Sequence, residues 1–169
     1  MQKIGLGGSC HWCTEAIFRS LKGVGSVEQG WIASDGENTA PSEAVIVHFD
    51  PAEINLETLI SIHLHTHSCT AEHAMRSKYR SAVYTFNEEQ AKVGKQAIKN
   101  LQADFEQPII TIVLPFQTFK LNEEHYLDYY YKDPSKPFCQ NIVSPKLKDL
   151  LSRFRNQVDE AKQAHLQNL

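Results

Sequence analysis

The spacing of apolar positions changes several times along the chain, and each change marks an element. Lys3, Ile4, Gly5 and Leu6 read as a short strand, after which Ala16, Ile17, Phe18 and Leu21 recur at helical spacing until Gly23, Val24 and Gly25 end the helix. Residues 26–33 alternate as a strand carrying Trp31, and a run of turn formers from Ser34 to Asn38 follows. Residues 44–49 then give a buried strand closed by Asp50 and Pro51, so the two strands are predicted to form a hairpin. Leu56, Leu59, Ile60, Ile62 and Leu64 predict a helix that starts at the N-cap Asn55, runs to about His65 and has an apolar face broad enough to lie on a sheet.

Residues 66–77 are polar and aperiodic, which predicts a loop leading into a strand over 79–86. Asn87 caps a helix through about Phe105, with Glu88 and Glu89 in its first turn and Lys92, Lys95 and Lys99 on its outer face. One more strand is predicted over 108–115 and a short aromatic helix over 122–131. The segment 133–139 holds Pro134 and Pro137 and ends at Cys139, a pattern that predicts irregular chain. Ser144 and Pro145 open a last helix, reaching about 165, with Leu147, Leu150, Leu151 and Phe154 inward; the tail beyond Val158 is expected to fray unless a partner holds it. Strand, helix, strand, strand, helix, strand is the order of a ferredoxin-like split βαβ plait, an α+β fold, here with extra C-terminal helices.

Composition narrows the function classes. A chain of 169 residues suits one domain over 1–169, with a core at about 3–139. Its 17 basic and 20 acidic residues, with no basic run, argue against a nucleic-acid partner. No apolar stretch is long enough to span a bilayer and no signal-like h-region opens the chain, so no membrane partner and a cytoplasmic location are expected. Four cysteines are too few for a disulfide scaffold, which points to reactive or structural thiols in a reducing compartment.

The densest chemistry lies at 7–15. Cys10 falls where a strand turns into a helix, facing unpaired N–H groups and the positive end of the helix dipole, which favour thiolate over thiol. Cys13 follows within the first turn, close enough to attack an oxidised Cys10. Taken alone the C-x-x-C spacing leaves a redox pair, half a zinc site and two packed core residues all open. His63, His65, His67 and Cys69 invite a metal reading, but a gap of one residue between the first two does not put them on one helical face.

Gly8, Ser9, Cys10, His11, Trp12, Cys13, Thr14 and Glu15 resemble the Gly-Cys-Phe-Trp-Gly-x-Glu signature of the A-type peptide methionine sulfoxide reductases, with His11 in place of Phe and Cys13 in place of Gly. The resemblance runs from about 3 to 139 and implies a split βαβ core, with Cys10 as nucleophile, Trp12 in the substrate pocket and Glu15 closing the motif. Glu43, before a strand that ends in Asp-Pro, takes the position of the catalytic glutamate. Tyr79, followed by Arg80 and Ser81, takes that of a tyrosine binding the sulfoxide oxygen. Cys139 matches the resolving cysteine and is favoured over its rival Cys13 by a narrow margin. Cys69 is read as a structural thiol.

Two departures stand out: Ala74 occupies an aspartate position, and the loop that carries a second tyrosine is missing between Trp31 and Thr39. Glu72, His73 and His11 are the candidates to compensate. Trp12 and Phe138 would offer aromatic surface to a thioether methyl group, and His11 as an imidazolium would stabilise the Cys10 thiolate.

These residues lead to an oxidoreductase that reduces the S epimer of methionine sulfoxide, in oxidised proteins or as the free amino acid. It would use no bound cofactor and be recycled by thioredoxin or another dithiol. Two alternatives remain: a general dithiol–disulfide exchanger using Cys10 and Cys13, and a methionine-sulfoxide-binding module with little turnover.

Overall fold

A computed structural model describes residues 1–72, 74–159 and 161–162. Expectations placed on His73, on the side chains of Ala74 and Leu151, and on the tail from 163 lie outside the described residues. The fold is α+β. Its strands are β1 (Gln2–Gly7), β2 (Val24–Ala33), β3 (Ser42–Phe49), β4 (Ala82–Thr85), β5 (Ile112–Pro115) and β6 (Thr118–Leu121). They form one sheet in the order β5-β4-β1-β3-β2-β6, antiparallel throughout except for the β4–β5 pair.

The pleat separates two apolar faces. Ile4 and Leu6 of β1 oppose Val47 and Val45 of β3, and all four enter the main core. Onto this face pack the helices α1 (His11–Arg19) and α2 (Leu56–His65), contributing Ile17, Phe18, Leu59, Ile60 and Ile62, each fully or almost fully buried. Burying side chains of this size stabilises the fold by about 1.5–3 kcal/mol each. The opposite face carries a smaller cluster of Ile32, Ala44, Ile46, Ala82 and Tyr84. Asn55 caps α2 through Thr58 N–H at 2.8 Å, and Asn87 caps α3 (Glu88–Leu101) through Gln90 N–H at 2.9 Å, both as expected.

Several boundaries differ from the sequence reading. β4 spans only Ala82–Thr85, so Tyr79 lies before the strand; the chain there is tied to β3 through side chains, with Ser42 Oγ donating to Lys78 O and accepting from Arg80 N–H. β6 was not foreseen: it is a short edge strand with three of its four residues exposed, and so carries little hydrophobic signal. The aromatic stretch over 122–131 is not one helix. A turn at Glu124–Tyr126 and the short helix α4 (Tyr129–Lys132) are separated by Asp128, whose φ of 54° breaks the helical path.

The two-proline segment ends in helix rather than loop. Helical chain begins at Pro137, whose missing N–H costs nothing in a first turn, and passes through a π-helical turn at Cys139–Val143 into α5 (Ser144–Arg153). This last helix ends at Arg153, not near 165, and the chain beyond folds back on α1. Val158 pairs with Leu21, Lys22 N–H donates to Gln157 O at 2.8 Å, and Asp159 N–H donates to Ser20 O at 2.8 Å.

β6 reaches β2 because residue 30 is glycine. A Cβ there would sit 2.0 Å from the Lys120 carbonyl oxygen, which belongs to backbone and cannot swing aside. Gly30→Ala is therefore expected to push β6 off the sheet and cost about 1–3 kcal/mol of stability. A lower urea midpoint with faster amide exchange confined to 118–122 is the expected result, and unchanged exchange there would contradict it.

Candidate active site

The turn from β1 into α1 is held by side chains from elsewhere. Gly8 takes φ 148°, and a Cβ there would lie 2.5 Å from the His67 ring. The Gly7 carbonyl accepts from His63 Nε2 at 2.8 Å, and the Gly8 carbonyl accepts from Arg76 Nη1 at 2.7 Å. Arg76 also donates to the carbonyls of Tyr79, Ala71 and Ser68, so one guanidinium pins 68–79 against this turn.

This turn leaves Cys10 as the N-cap of α1, with its carbonyl accepting from Cys13 and Thr14 N–H at 3.1 and 3.2 Å. Interaction with the Cys13 thiol is the largest cause of a lowered Cys10 pKa. The N–H groups of Trp12 and Cys13 add to it, while burial and the nearby Glu43 oppose it. The same interaction, together with burial, drives the Cys13 pKa up.

Glu43 lies inside β3 rather than before it, and is 5 % exposed. Its Oε1 accepts from His11 N–H at 3.3 Å and lies 3.2 Å from His11 Nε2, while Oε2 lies 3.5 Å from Lys78 Nζ. Buried His11 has a lowered pKa, mainly through desolvation, with Lys78 contributing. The imidazolium expected from sequence is therefore disfavoured, and the ring serves as a partner of Glu43.

Beside Cys10 a cavity of about 640 Å³ is lined by Cys10, Tyr79, Gly8, Ser9, His67 and Arg76, among others. Cys10 and Tyr79 thus share one space. Trp12 and Phe138 also meet, with ring centroids 5.4 Å apart and nearly perpendicular planes, but Trp12 is stacked as well on Tyr129 at 4.2 Å and on Tyr126 at 5.5 Å. Cys139 is fully buried on its π turn, close enough for its charge to be felt at Cys13, and burial raises its pKa. Cys69 is buried in the main core. The histidines of the metal reading part company: His63 stacks on His67 at 4.3 Å, while His65 stacks on Phe105 and pairs with Asp104.

Arg76, Lys78, Gln29 and Asn122 were not found from sequence. Gln29 and Asn122 are buried amides, and the signal available for them was a polar residue at an inward strand position and one at a strand end. Arg76 and Lys78 carried none, since they sit in the aperiodic loop.

A cysteine at a helix N-terminus with its pKa lowered, near a second thiol and a buried carboxyl, suits an oxidoreductase that works through sulfur. The family profile described as "Peptide methionine sulfoxide reductase" matches residues 2–159, and the chain belongs to that family. "Peptide methionine sulfoxide reductase MsrA 1" of Rhodopirellula baltica is 30% identical over 167 residues, covering 90% of this chain and 87% of the relative. Among solved structures, reduced Mxr1 of Saccharomyces cerevisiae superposes with a TM-score of 0.73 at 21% identity, covering 82% of this chain and 88% of that one. Mxr1 in complex with Trx2 gives 0.61 at 18% identity, covering 76% and 84%. No helix among the described residues is long and apolar enough to cross a membrane.

The histidines behind the turn make stability depend on pH. His67 donates through Nδ1 to the His63 carbonyl at 2.5 Å and accepts from Ser81 Oγ at 2.7 Å, an arrangement of the neutral ring; burial lowers its pKa to about 4 and lowers that of His63 too. Below the ordinary histidine value of about 6.5 the unfolded chain binds protons that the folded one refuses, so stability falls as pH falls from there to about 4. For His67 alone the full loss is about 3 kcal/mol. Urea midpoints measured between pH 7 and 4 are expected to show this slope, and His67→Gln to flatten it.

Proposed function

We propose a course for peptide methionine sulfoxide reduction, the activity of this chain, in which the Cys10 thiolate attacks the sulfoxide sulfur and Glu43 gives its proton to the departing oxygen. Cys10 thiolate, protonated Glu43 and sulfoxide become Cys10 sulfenic acid, Glu43 carboxylate and thioether, which balances protons and electrons. The placement of Cys10 at the N-terminus of α1, with its pKa lowered and buried Glu43 close by, carries this reading. Tyr79, sharing the cavity with Cys10, binds the oxygen, and Trp12 and Phe138 receive the methyl group.

A second thiol then condenses with the sulfenic acid, releasing water and leaving a disulfide. The contact with Cys10 supports Cys13 in this step, while Cys139, which the family pattern favours, is buried on a helical turn and would act next. A thioredoxin-like dithiol reduces the product disulfide, a reading supported by the fold shared with Mxr1 in its complex with Trx2. The substrate is the S epimer, and the chain is read as one cytoplasmic domain with no bound cofactor. Its fold is read as a ferredoxin-like split βαβ core, supported by the antiparallel run β4-β1-β3-β2. The Cys10–Cys13 contact also favours a second activity, general dithiol–disulfide exchange.

Single-turnover reduction of racemic peptide methionine sulfoxide by pre-reduced protein, followed by thiol mapping, tests the course. Methionine from one epimer and a Cys10–Cys13 disulfide are expected, with Cys13→Ser diverting the bond to Cys139. Glu43→Gln should slow methionine formation by about 10²–10⁴-fold; near-normal turnover would remove Glu43 from the acid role. Insulin reduction without methionine formation would favour the exchanger.

A further inference from the structure

Lys78 has no part in the course above, yet its backbone and its ammonium both meet Glu43. The Lys78 carbonyl accepts from Glu43 N–H and from Ser42 Oγ, each at 2.9 Å, and Ser42 Oγ accepts in turn from Arg80 N–H at 2.7 Å. Arg76 Nη1 donates to the Tyr79 carbonyl at 2.9 Å, and the same nitrogen holds the Gly8 carbonyl. Residues 78–80 are thereby tied to the start of β3 on one side and to the turn before Cys10 on the other. From this backbone the Lys78 side chain, 54 % exposed, places Nζ 3.5 Å from Glu43 Oε2 and 5.2 Å from the centre of the Tyr79 ring.

Glu43 and Tyr79 are the two groups set on the sulfoxide oxygen in the proposed course, and Lys78 Nζ stands beside both. An ammonium carries three hydrogens on a rotating head. The contact with Oε2 engages one of them, and the exposure of the side chain leaves the others open to an incoming group. The S–O bond of a sulfoxide has its negative end on oxygen, and negative charge grows there as the bond breaks. A cation at that point attracts the oxygen of the bound substrate, and attracts it more as it departs. The other basic groups close by are otherwise committed. The Arg76 guanidinium donates to the carbonyls of Gly8, Ser68, Ala71 and Tyr79, and burial lowers the pKa of His11. The pKa of Lys78 moves the other way, raised first by interaction with Tyr79 and then by Glu43, so the side chain stays charged.

We propose that Lys78 is a substrate-binding residue for the sulfoxide oxygen, its Nζ donating to that oxygen from its place beside Glu43 and Tyr79. This rests on the oxygen lying against those two groups, and adds the charge that draws it there. Lys78 keeps its proton throughout, so the reaction balances as already written, and the carboxylate left at Glu43 after donation faces a cation.

Replacing the reactive sulfur separates binding of the oxygen from turnover. Cys10→Ser protein is titrated with an uncharged peptide containing the S epimer of methionine sulfoxide, and with the same peptide containing methionine, which lacks only the oxygen. Adding Lys78→Met should weaken the sulfoxide peptide by about tenfold and leave the methionine peptide unchanged. Equal weakening of both peptides would mean that Lys78 only shapes the site, and unchanged affinities that its ammonium never meets the oxygen; either result overturns the proposal. With Cys10 in place, Lys78→Met should slow single-turnover methionine formation by about tenfold or more, and a parental rate also overturns it. Failure of Cys10→Ser itself to tell the two peptides apart removes the oxygen site and this inference with it. An active Glu43→Gln removes the acid role alone, because the peptide comparison involves no proton transfer.

Discussion

Two consecutive carbonyls, those of Gly7 and Gly8, decide where Cys10 stands. They lie at the end of a strand whose partners stop pairing just there, and each would be a buried acceptor without a donor. His63 from α2 and Arg76 from the following loop supply the donors. Because those donors come from distant segments, the turn cannot form its native shape until α2 and the loop are packed. The shape of the turn that leads into Cys10 is therefore held by tertiary contacts in addition to its local sequence.

The same dependence explains what could be read from the chain. Strands and helices with buried faces, such as residues 44–49 and the run from Leu56 to Leu64, announced themselves by period. Their capping residues, Asn55 and Asn87, did so too, since a cap needs only a side chain three residues from its donor. Cys10 was legible because a strand followed by glycine and a helix defines its electrostatics locally. Arg76 was not, since its four acceptors are scattered over Gly8, Ser68, Ala71 and Tyr79 and leave no periodic trace. The helical start at Pro137 was missed for the opposite reason: two prolines looked like a barrier, yet one of them opens a helix, where proline is tolerated.

His11 shows how one substitution in a motif is absorbed by the interior. An imidazole where the family has a phenyl ring brings two polar atoms into a space that is 5 % exposed. Left unsatisfied, each would cost about 1–3 kcal/mol. The Gly30 carbonyl, Asn122 and Glu43 satisfy them, and Gln29 and Glu15 complete the chain that orients Asn122. The glycine that lets β6 approach β2 also presents the carbonyl that holds the His11 ring, so sheet closure and the placing of that ring share a residue.

The thiols divide their work by the same logic of paired groups. The interaction between Cys13 and Cys10 moves their pKa values in opposite directions and favours the thiolate at Cys10. In the proposed course, oxidation of Cys10 to a sulfenic acid would remove the thiolate beside Cys13, and with it the largest reason for the raised Cys13 pKa. The order of events would then follow from charge, the first thiol's reaction releasing the second. At Cys139 burial is the main cause of the raised pKa, with Asp133 adding to it and Lys136 opposing it. Cys139 is more deeply buried than Cys10, which opens onto the cavity, so in the proposed course a bond to Cys139 requires the π-helical turn that carries it to open first.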